Sequence, residues 1–278
     1  MKEDVLERDF PWPKITVVTP SYNQGQYLES TILSVLDQSY PHLEYIVVDG
    51  GSTDDSIEII RRYERHLTGW ISEEDGGQAH AIEKGFAGAT GELLNWINSD
   101  DLLFPGALRR IARAWMAEPR ADLVAGVHAS CDADGRITRI SVPPCRAAFS
   151  PRCWIFPIGQ PSTFFTRRGY LRVGGIRRDL HAIMDRELYY RMMRSGARLV
   201  AAKGLVGAFR YHDRGKTACR RDLWRREIPE FMGSNGISSR RHAAARCWMR
   251  LVRCIDGSYW RSWAMTRRLR GMMPQAVE

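Results

Sequence analysis

The chain has 278 residues, 44% hydrophobic and 26% charged, which is ordinary for a globular protein and enough for one sizeable α/β domain plus a tail. No stretch approaches the roughly 18 consecutive apolar residues of a membrane span, and Met1 to Phe10 lack the apolar core of a secretory signal. Of the net charge of +9, residues 219–278 carry +8, thirteen arginines against five acids and no lysine, so the tail rather than the body meets something anionic.

A reducing, cytoplasmic setting is expected. Cys131, Cys145, Cys153, Cys219, Cys247 and Cys254 show no CxxC pairing and are expected as scattered, mostly buried thiols.

Ile15, Val17 and Val18 form a short apolar run stopped by Thr19-Pro20, a buried strand. Leu28, Ile32, Val35 and Leu36 recur at helical spacing up to Tyr40-Pro41. Tyr45–Val48 is a second strand, closed by Asp49-Gly50-Gly51. Ser52 and Asp55 have capping-box spacing before a helix carrying Ile57, Ile60 and Tyr63. A strand at Trp70-Ile71, a helix around Ile82 and Phe86, and a strand over Leu93–Ile97 follow. Pro105 opens a helix with Leu108, Ile111, Ala112 and Trp115, and Leu123–Val127 reads as a strand. Asp132–Gly135 reads as a hairpin turn, and residues 143–160 as irregular. Ser162–Phe165 is strand-like, and Met184–Arg194 is a helix with Leu188 and Met192 inward.

This alternation predicts a mixed, mostly parallel central sheet with helices on both faces. Ligands in such sheets sit beyond the carboxyl ends of the strands. Three strands end in polar clusters, Thr19–Asn23, Asp49–Ser52 and Asn98–Asp101, which are expected to converge on one edge.

Asn98-Ser99-Asp100-Asp101 has two readings. Carboxylates in a strand-end turn suit a hard divalent cation; the alternative is a helix cap, a role open to Asp101 before Pro105. Asp49 leaving a strand can accept from a base or ribose, with Gly50 and Gly51 letting backbone approach a flat ligand, or the segment is simply a tight turn. Glu73–Gln78 is a polar loop entering a helix, where Lys84 either meets a diphosphate or stays solvated. Asp185 and Glu187 start a helix whose dipole is expected to lower the Asp185 pKa and keep it ionised, a workable general base. For Glu187 a plain helix-start role is the expectation. His212, in Tyr211-His212-Asp213, is either structural or a metal ligand if it reaches Asp100.

In this order the segments resemble family 2 glycosyltransferases with the GT-A fold, over roughly residues 14–216. The likeness runs through "ITVVTPSYNQGQYLESTILSVLDQSYPHLEYIVVDGGSTDDSIEII", "SEEDGGQAHAIEKGFAGATGELLNWINSDDLLFPGAL", "GQPSTFFTRRGYLRVGGI" and "HAIMDRELYYRM". The resemblance implies an inverting, metal-dependent transferase. Asp49 would recognise the donor base, with Thr19, Pro20 and Tyr22 lining its pocket. Gly51, Gln78, Lys84, Asn98 and Ser99 complete the implied nucleotide-sugar contacts. Asp100 would ligate a Mn or Mg ion, with His212 as a third contact and Lys216 assisting. Asp185 would be the catalytic base. Three departures stand out: Asn98 replaces the usual acid of the metal motif, Met184 another acid, and His80 a third.

The expected organisation is an N-terminal extension (1–13), a GT-A domain (14–217) and a basic, Arg/Trp-rich helical tail (218–278). The expected partners are a nucleotide-sugar donor, with UDP as its nucleotide, and a glycan or lipid-linked acceptor in cell-surface polysaccharide or glycolipid assembly. Trp224, Trp248, Trp260 and Trp263 among the tail arginines fit an anionic membrane surface better than nucleic acid, placing the protein on the inner face of the membrane; a plain solvated tail is the other reading. The rival from another class is a nucleotide-sugar-binding module without turnover.

Overall fold

The structure, a computed structural model, describes residues 11–144 and 153–277. The expectations for Met1–Phe10 and Cys145 lie outside them. The described residues form a nine-stranded mixed sheet of β1 (Ile15–Ser21), β2 (Leu43–Asp49), β3 (Gly69–Ser72), β4 (Leu93–Trp96), β5 (Leu102–Leu103), β6 (Leu123–Cys131), β7 (Ile137–Ser141), β8 (Thr163–Thr166) and β9 (Leu199–Arg210). Their spatial order is β3-β2-β1-β4-β8-β6-β9-β5, with β7 beside β6. The first four run parallel, β8 enters antiparallel to both β4 and β6, and β6 and β9 are parallel again. The helices are α1 (Gly25–Leu36), α2 (Ser56–Tyr63), α3 (Gln78–Ala87), α4 (Ala107–Ala117), α5 (Arg167–Arg172), α6 (Met184–Arg194), α7 (Lys216–Cys219), α8 (Arg221–Ser234), α9 (Ser239–Ile255) and α10 (Ser258–Leu269).

Strands covered on both faces need apolar residues on both sides of the pleat, and β1 and β2 supply them. Val17 and Val47 pack with Leu28 and Ile32 of α1, Ile60 of α2 and Leu108 of α4. Val18 and Val48 face the other way, onto Ile82 and Phe86 of α3 and Leu188 of α6. Gly85 in mid-helix permits that approach: a Cβ there would stand 2.5 Å from a Val18 methyl.

Strand β9, the longest, carries little periodic signal because Gly204 and Gly207 interrupt it and its register with β6 shifts around Val127. It delivers Arg210, and the residues just after it, to the sheet edge.

The C-terminal helices pack onto this body. Leu223 and Phe231 of α8 are buried in the α3/α6 core cluster. Ser262 and Thr266 of α10 accept from the Val142 and Ile140 N–H groups beside β7, both at 2.9 Å. At the other end, Trp12 is buried edge-on against Tyr40.

Two local expectations are corrected. No capping box forms at Ser52–Asp55: the Ser52 hydroxyl donates to Asp49 instead, at 2.5 Å. Asp101 does not cap α4, whose N-cap is Gly106, in the left-handed region at φ 70°. The five described cysteines are free, but only Cys131 is buried, while Cys219, Cys247 and Cys254 are exposed.

Candidate active site

The carboxyl ends of β1, β2 and β4 do converge, on a cavity of about 1310 Å³. Of the predicted residues, Pro20, Tyr22, Gly51, Gln78, Asn98 and Ser99 line it, as do Asp100, Asp185 and His212. Residues distant in sequence therefore share one space.

Asp100 and His212 meet directly, His212 Nε2 lying 2.9 Å from Asp100 Oδ2. The imidazole is buried against the Tyr27 ring, centroids 4.4 Å apart, while the carboxylate keeps a fifth of its surface open. Arg210 ties the strand end beneath them, donating its Nε to the Asp100 carbonyl at 2.9 Å and its backbone N–H to Asp101 Oδ1 at 3.0 Å. Asp101 itself is fully buried. Desolvation, then repulsion from Asp100, pushes its carboxyl well above the ordinary range.

Asn98 is engaged at both ends: Nδ2 donates to Asp101 Oδ2 at 2.8 Å, and Oδ1 accepts from Gln78 Nε2 at 2.5 Å. Gln78 Oε1 in turn accepts from Lys216, whose Nζ also donates to the His181 carbonyl at 3.1 Å. Burial lowers the Lys216 pKa to about 8. This chain of amides carries a lysine to the same wall as Asp100.

Asp185 lies in the first turn of α6 and lines the cavity, with Met184 beside it. The dipole argument fails in sign here. Desolvation dominates and raises the Asp185 pKa, with nearby Arg186 lowering it in opposition. The loop entering α6 is held from α8, where buried Glu227 accepts from the N–H groups of His181 and Ala182 at 2.9 Å and Ile183 at 3.3 Å. No motif marks Glu227 in a stretch otherwise dominated by arginine. Glu187 is structural: it is buried in a two-pronged pair with Arg191, which also clasps the Val173 and Gly175 carbonyls.

Three of the expected contact residues are not among those that line the cavity. Asp49 has no exposed surface, and its carboxylate accepts from Gly51 N, Ser52 N, Ser52 Oγ and Ser72 Oγ, which holds the turn after β2. Thr19 is equally buried, its hydroxyl 3.0 Å from that of Tyr45. Lys84 is not among the cavity-lining residues and pairs with Glu73 at 2.6 Å. His80 accepts from Gly76 N at 3.0 Å and so closes its own loop.

Among the described residues no three His, Cys, Asp or Glu side chains group to hold a metal. Asp100 and His212 form a pair.

The sequence model of glycosyl transferase family 2 matches residues 16–175, more than half the chain. The chain belongs to glycosyl transferase family 2. Its fold is the GT-A fold, shared with solved glycosyltransferases. The mannosyltransferase PcManGT from Pyrobaculum calidifontis, solved with GDP-Man and Mn2+, superposes with a TM-score of 0.62 over 95% of this chain and 82% of its own, at 21% identity. S. aureus TarS 1–349 with UDP-GlcNAc gives 0.59 over 74% of this chain and 61% of its own, at 18% identity. In sequence, this family member is 43% identical over 94 residues to the putative teichuronic acid biosynthesis glycosyltransferase TuaG of Bacillus subtilis, 32% of this chain and 36% of that one. It is 34% identical over 121 residues to glycosyltransferase GlyG of Streptococcus pneumoniae, 42% of this chain and 40% of that one. The chain spans between 36% and 50% of the length of the first three curated relatives it matches. The family match ends before Asp185, His212 and Lys216, so their place in the site rests on geometry.

Proposed function

We propose that this chain transfers a sugar, with inversion, from a nucleoside-diphosphate sugar to an acceptor hydroxyl in cell-surface glycan assembly. The observation that carries this reading is one cavity walled by the Asp100–His212 pair and Lys216 and also by Asp185, the two halves a displacement at an anomeric carbon needs. UDP-GlcNAc and GDP-Man in the related structures support a nucleoside-diphosphate donor, and the name of TuaG supports an envelope polysaccharide.

The Asp100–His212 pair fits a small divalent cation, Mn or Mg. Neighbouring ligands of an octahedral ion, each at roughly 2.0–2.1 Å, stand roughly 3 Å apart, and Oδ2 and Nε2 are 2.9 Å apart. Such ions bind through one or two side chains and leave other positions to phosphate and water. Bound there, the ion supplies neutralisation of charge growing on the leaving diphosphate. Asn98, committed to Asp101 and Gln78, supports the pair from behind.

Lys216 meets the diphosphate from the same wall. Asp185 accepts the proton of the acceptor hydroxyl as its oxygen bonds to the anomeric carbon and the bond to the diphosphate breaks. Its raised pKa makes it a stronger base than a solvated carboxylate. A single displacement of this kind inverts the centre.

The test is a panel of nucleotide sugars incubated with purified protein, with and without Mn²⁺, reading released nucleotide and product stereochemistry. Asp185→Asn should bind donor and lose transfer; normal turnover by that variant would remove Asp185 from the mechanism. Donor binding without turnover in the wild-type chain, across acceptors, would leave the binding-module reading standing.

A second reading concerns the surface. No helix among the described residues is long and apolar enough to cross a membrane. Yet α9 exposes Trp248, Leu251 and Ile255, and α10 exposes Tyr259, Trp260 and Trp263, each with about half its surface or more in solvent. Arginines flank them, one lying over the Trp263 ring. Aromatic and aliphatic faces rimmed by arginine suit an anionic bilayer. Flotation with phosphatidylglycerol vesicles, against neutral ones, is the check. Because Glu227 and Phe231 serve the body, the comparison uses Trp248→Ser, Trp260→Ser and Trp263→Ser rather than truncation. Equal flotation of the triple variant would end this reading.

A further inference from the structure

The cavity wall beyond Lys216 is strongly positive. From Arg214 to Arg225 its lining residues include five cations and no acid. Arg221, Trp224 and Arg225 stand at i, i+3 and i+4 of α8 and so share one face of that helix. Arg186 joins them from α6, one residue after Asp185, and lines the same cavity. Among the described residues no carboxylate lies within ion-pair distance of Arg186, Arg221 or Arg225, and their guanidinium groups donate no hydrogen bond.

Arg186 is positioned by aromatic rings instead. Its Cζ lies 5.8 Å from the Trp154 centroid and 5.8 Å from that of Trp224. Both rings are anchored: Trp154 is buried against Phe231 of α8, centroids 5.4 Å apart, and Trp224 packs on the α3/α6 core cluster. Attraction to a ring holds a guanidinium while leaving its N–H donors unspent, and those donors match the paired oxygens of a carboxylate or phosphate. Three guanidinium groups on one wall also repel one another, which an oxyanion among them relieves. Arg186 stands near enough to Asp185 to lower its carboxyl pKa against the larger effect of burial. The unspent charge therefore lies beside the group that takes the acceptor's proton, past the Asp100–His212 pair and Lys216, which serve the diphosphate.

We propose that the acceptor carries an oxyanion, a phosphate or a carboxylate, close to the hydroxyl it offers to Asp185, and that Arg186 with Arg221 and Arg225 receives it. This rests on the transfer reading above and names the class of acceptor that the site takes. Arg186 grips the oxyanion through two parallel N–H bonds, and the α8 arginines add charge from the facing wall. A neutral acceptor leaves this cluster unneutralised and is the poorer substrate. Since α8 also carries Glu227, the helix that steadies the entry to α6 supplies half of the anion site.

Calorimetry on the full chain tests the assignment, with Mn²⁺ and the better-bound of UDP and GDP held at saturation so that the diphosphate end is filled. Glucose 6-phosphate, glucuronate and glucose are the probes. The better of the two anions should bind about 10- to 100-fold more tightly than glucose, the worth of a charge-assisted hydrogen bond, and which one wins tells phosphate from carboxylate. Arg186→Gln should abolish that ratio while leaving nucleotide affinity unchanged. Arg186→Lys keeps the charge without the fork and should recover only part of it, an ordering that mere support of the two tryptophans does not produce. Where Arg186→Gln unsettles the fold, the paired change Arg221→Gln and Arg225→Gln, at exposed positions, should still lower the ratio. Anions bound no better than glucose, or a ratio unchanged in both Arg186→Gln and the paired variant, overturns the assignment alone. So does loss of nucleotide binding in Arg186→Gln, which would put that arginine on the donor. Weaker flotation of Arg186→Gln on phosphatidylglycerol vesicles, with soluble anions bound as before, would assign the charge to lipid headgroups and overturn it as well. Failure of both UDP and GDP to bind overturns it together with the donor reading.

Discussion

Glu227 holds Ala182: a carboxylate from α8 accepts the backbone N–H at 2.9 Å, together with those of His181 and Ile183 on either side. These three N–H groups lie immediately before α6, so a helix in the basic tail fixes the entry to the turn that carries Asp185. Glu227→Ala strands buried donors and should destabilise the fold by roughly 2–4 kcal/mol. Glu227→Gln keeps an acceptor and should fold, with kcat reduced and donor KM unchanged. Equal kcat in that variant, measured at saturating donor, would show that the clamp serves stability alone.

Placing an acid at position 98 should harm the protein. Asn98 donates to Asp101, and an aspartate there would set a further carboxylate against a buried group already disfavoured as an anion. Asn98→Asp should cost roughly 1–3 kcal/mol at neutral pH. Because Asp101 has a raised folded pKa, its unfolded form binds fewer protons in the affected window, and stability falls as pH rises through it. The deficit of the variant should therefore shrink on acidification, as seen in denaturation midpoints at pH 5 and pH 8.

Lys216 sets an alkaline limit. With its pKa lowered to about 8 by burial, the unliganded site loses a positive charge above that pH, and donor KM should rise toward pH 9.5. Lys216→Arg should flatten this profile, since guanidinium stays charged. Between about 8 and the ordinary lysine value of 10.5 the unfolded chain holds the extra proton, so the unliganded fold gains stability as pH rises there. A donor KM independent of pH in the wild type would count against the lysine's contact with the diphosphate.

Asp185 sets the acid limit. As its carboxyl is raised by desolvation, transfer should fall on acidification earlier than an ordinary carboxylate allows. The same burial makes its charge costly. Stability is fuller where Asp185 is protonated and is lost as pH rises through its folded pKa. Asp185→Asn should therefore raise the melting temperature at neutral pH while reducing transfer by about 10²- to 10⁴-fold. A lowered melting temperature would mean the carboxylate has compensating partners.

The alternating apolar runs made the parallel half of the sheet legible, because Val17/Val18 and Val47/Val48 must serve opposite faces whatever lies beyond them. Met184–Arg194 was equally legible, since its inward Leu188 and Met192 are periodic. Strand β9 was not, because its glycines answer to close packing rather than to a pattern. Asp100 and His212 stand 112 residues apart in sequence, and only the fold brings Oδ2 and Nε2 to 2.9 Å. The surroundings of Asp49 are invisible in sequence, because the donors on its carboxylate, here Ser52 and Ser72, reach it only once the turn and β3 have folded back.

The sequence by itself determined the strand–helix order and the three polar strand ends, because burial on both faces of a sheet leaves a direct imprint on hydrophobic spacing. Tertiary structure alone decided which carboxylates line the cavity, that burial raises Asp185 against its helix dipole, and that a tail helix clamps the entry to the turn carrying Asp185. Those outcomes depend on desolvation and on partners many residues away, and neither quantity is written in local spacing.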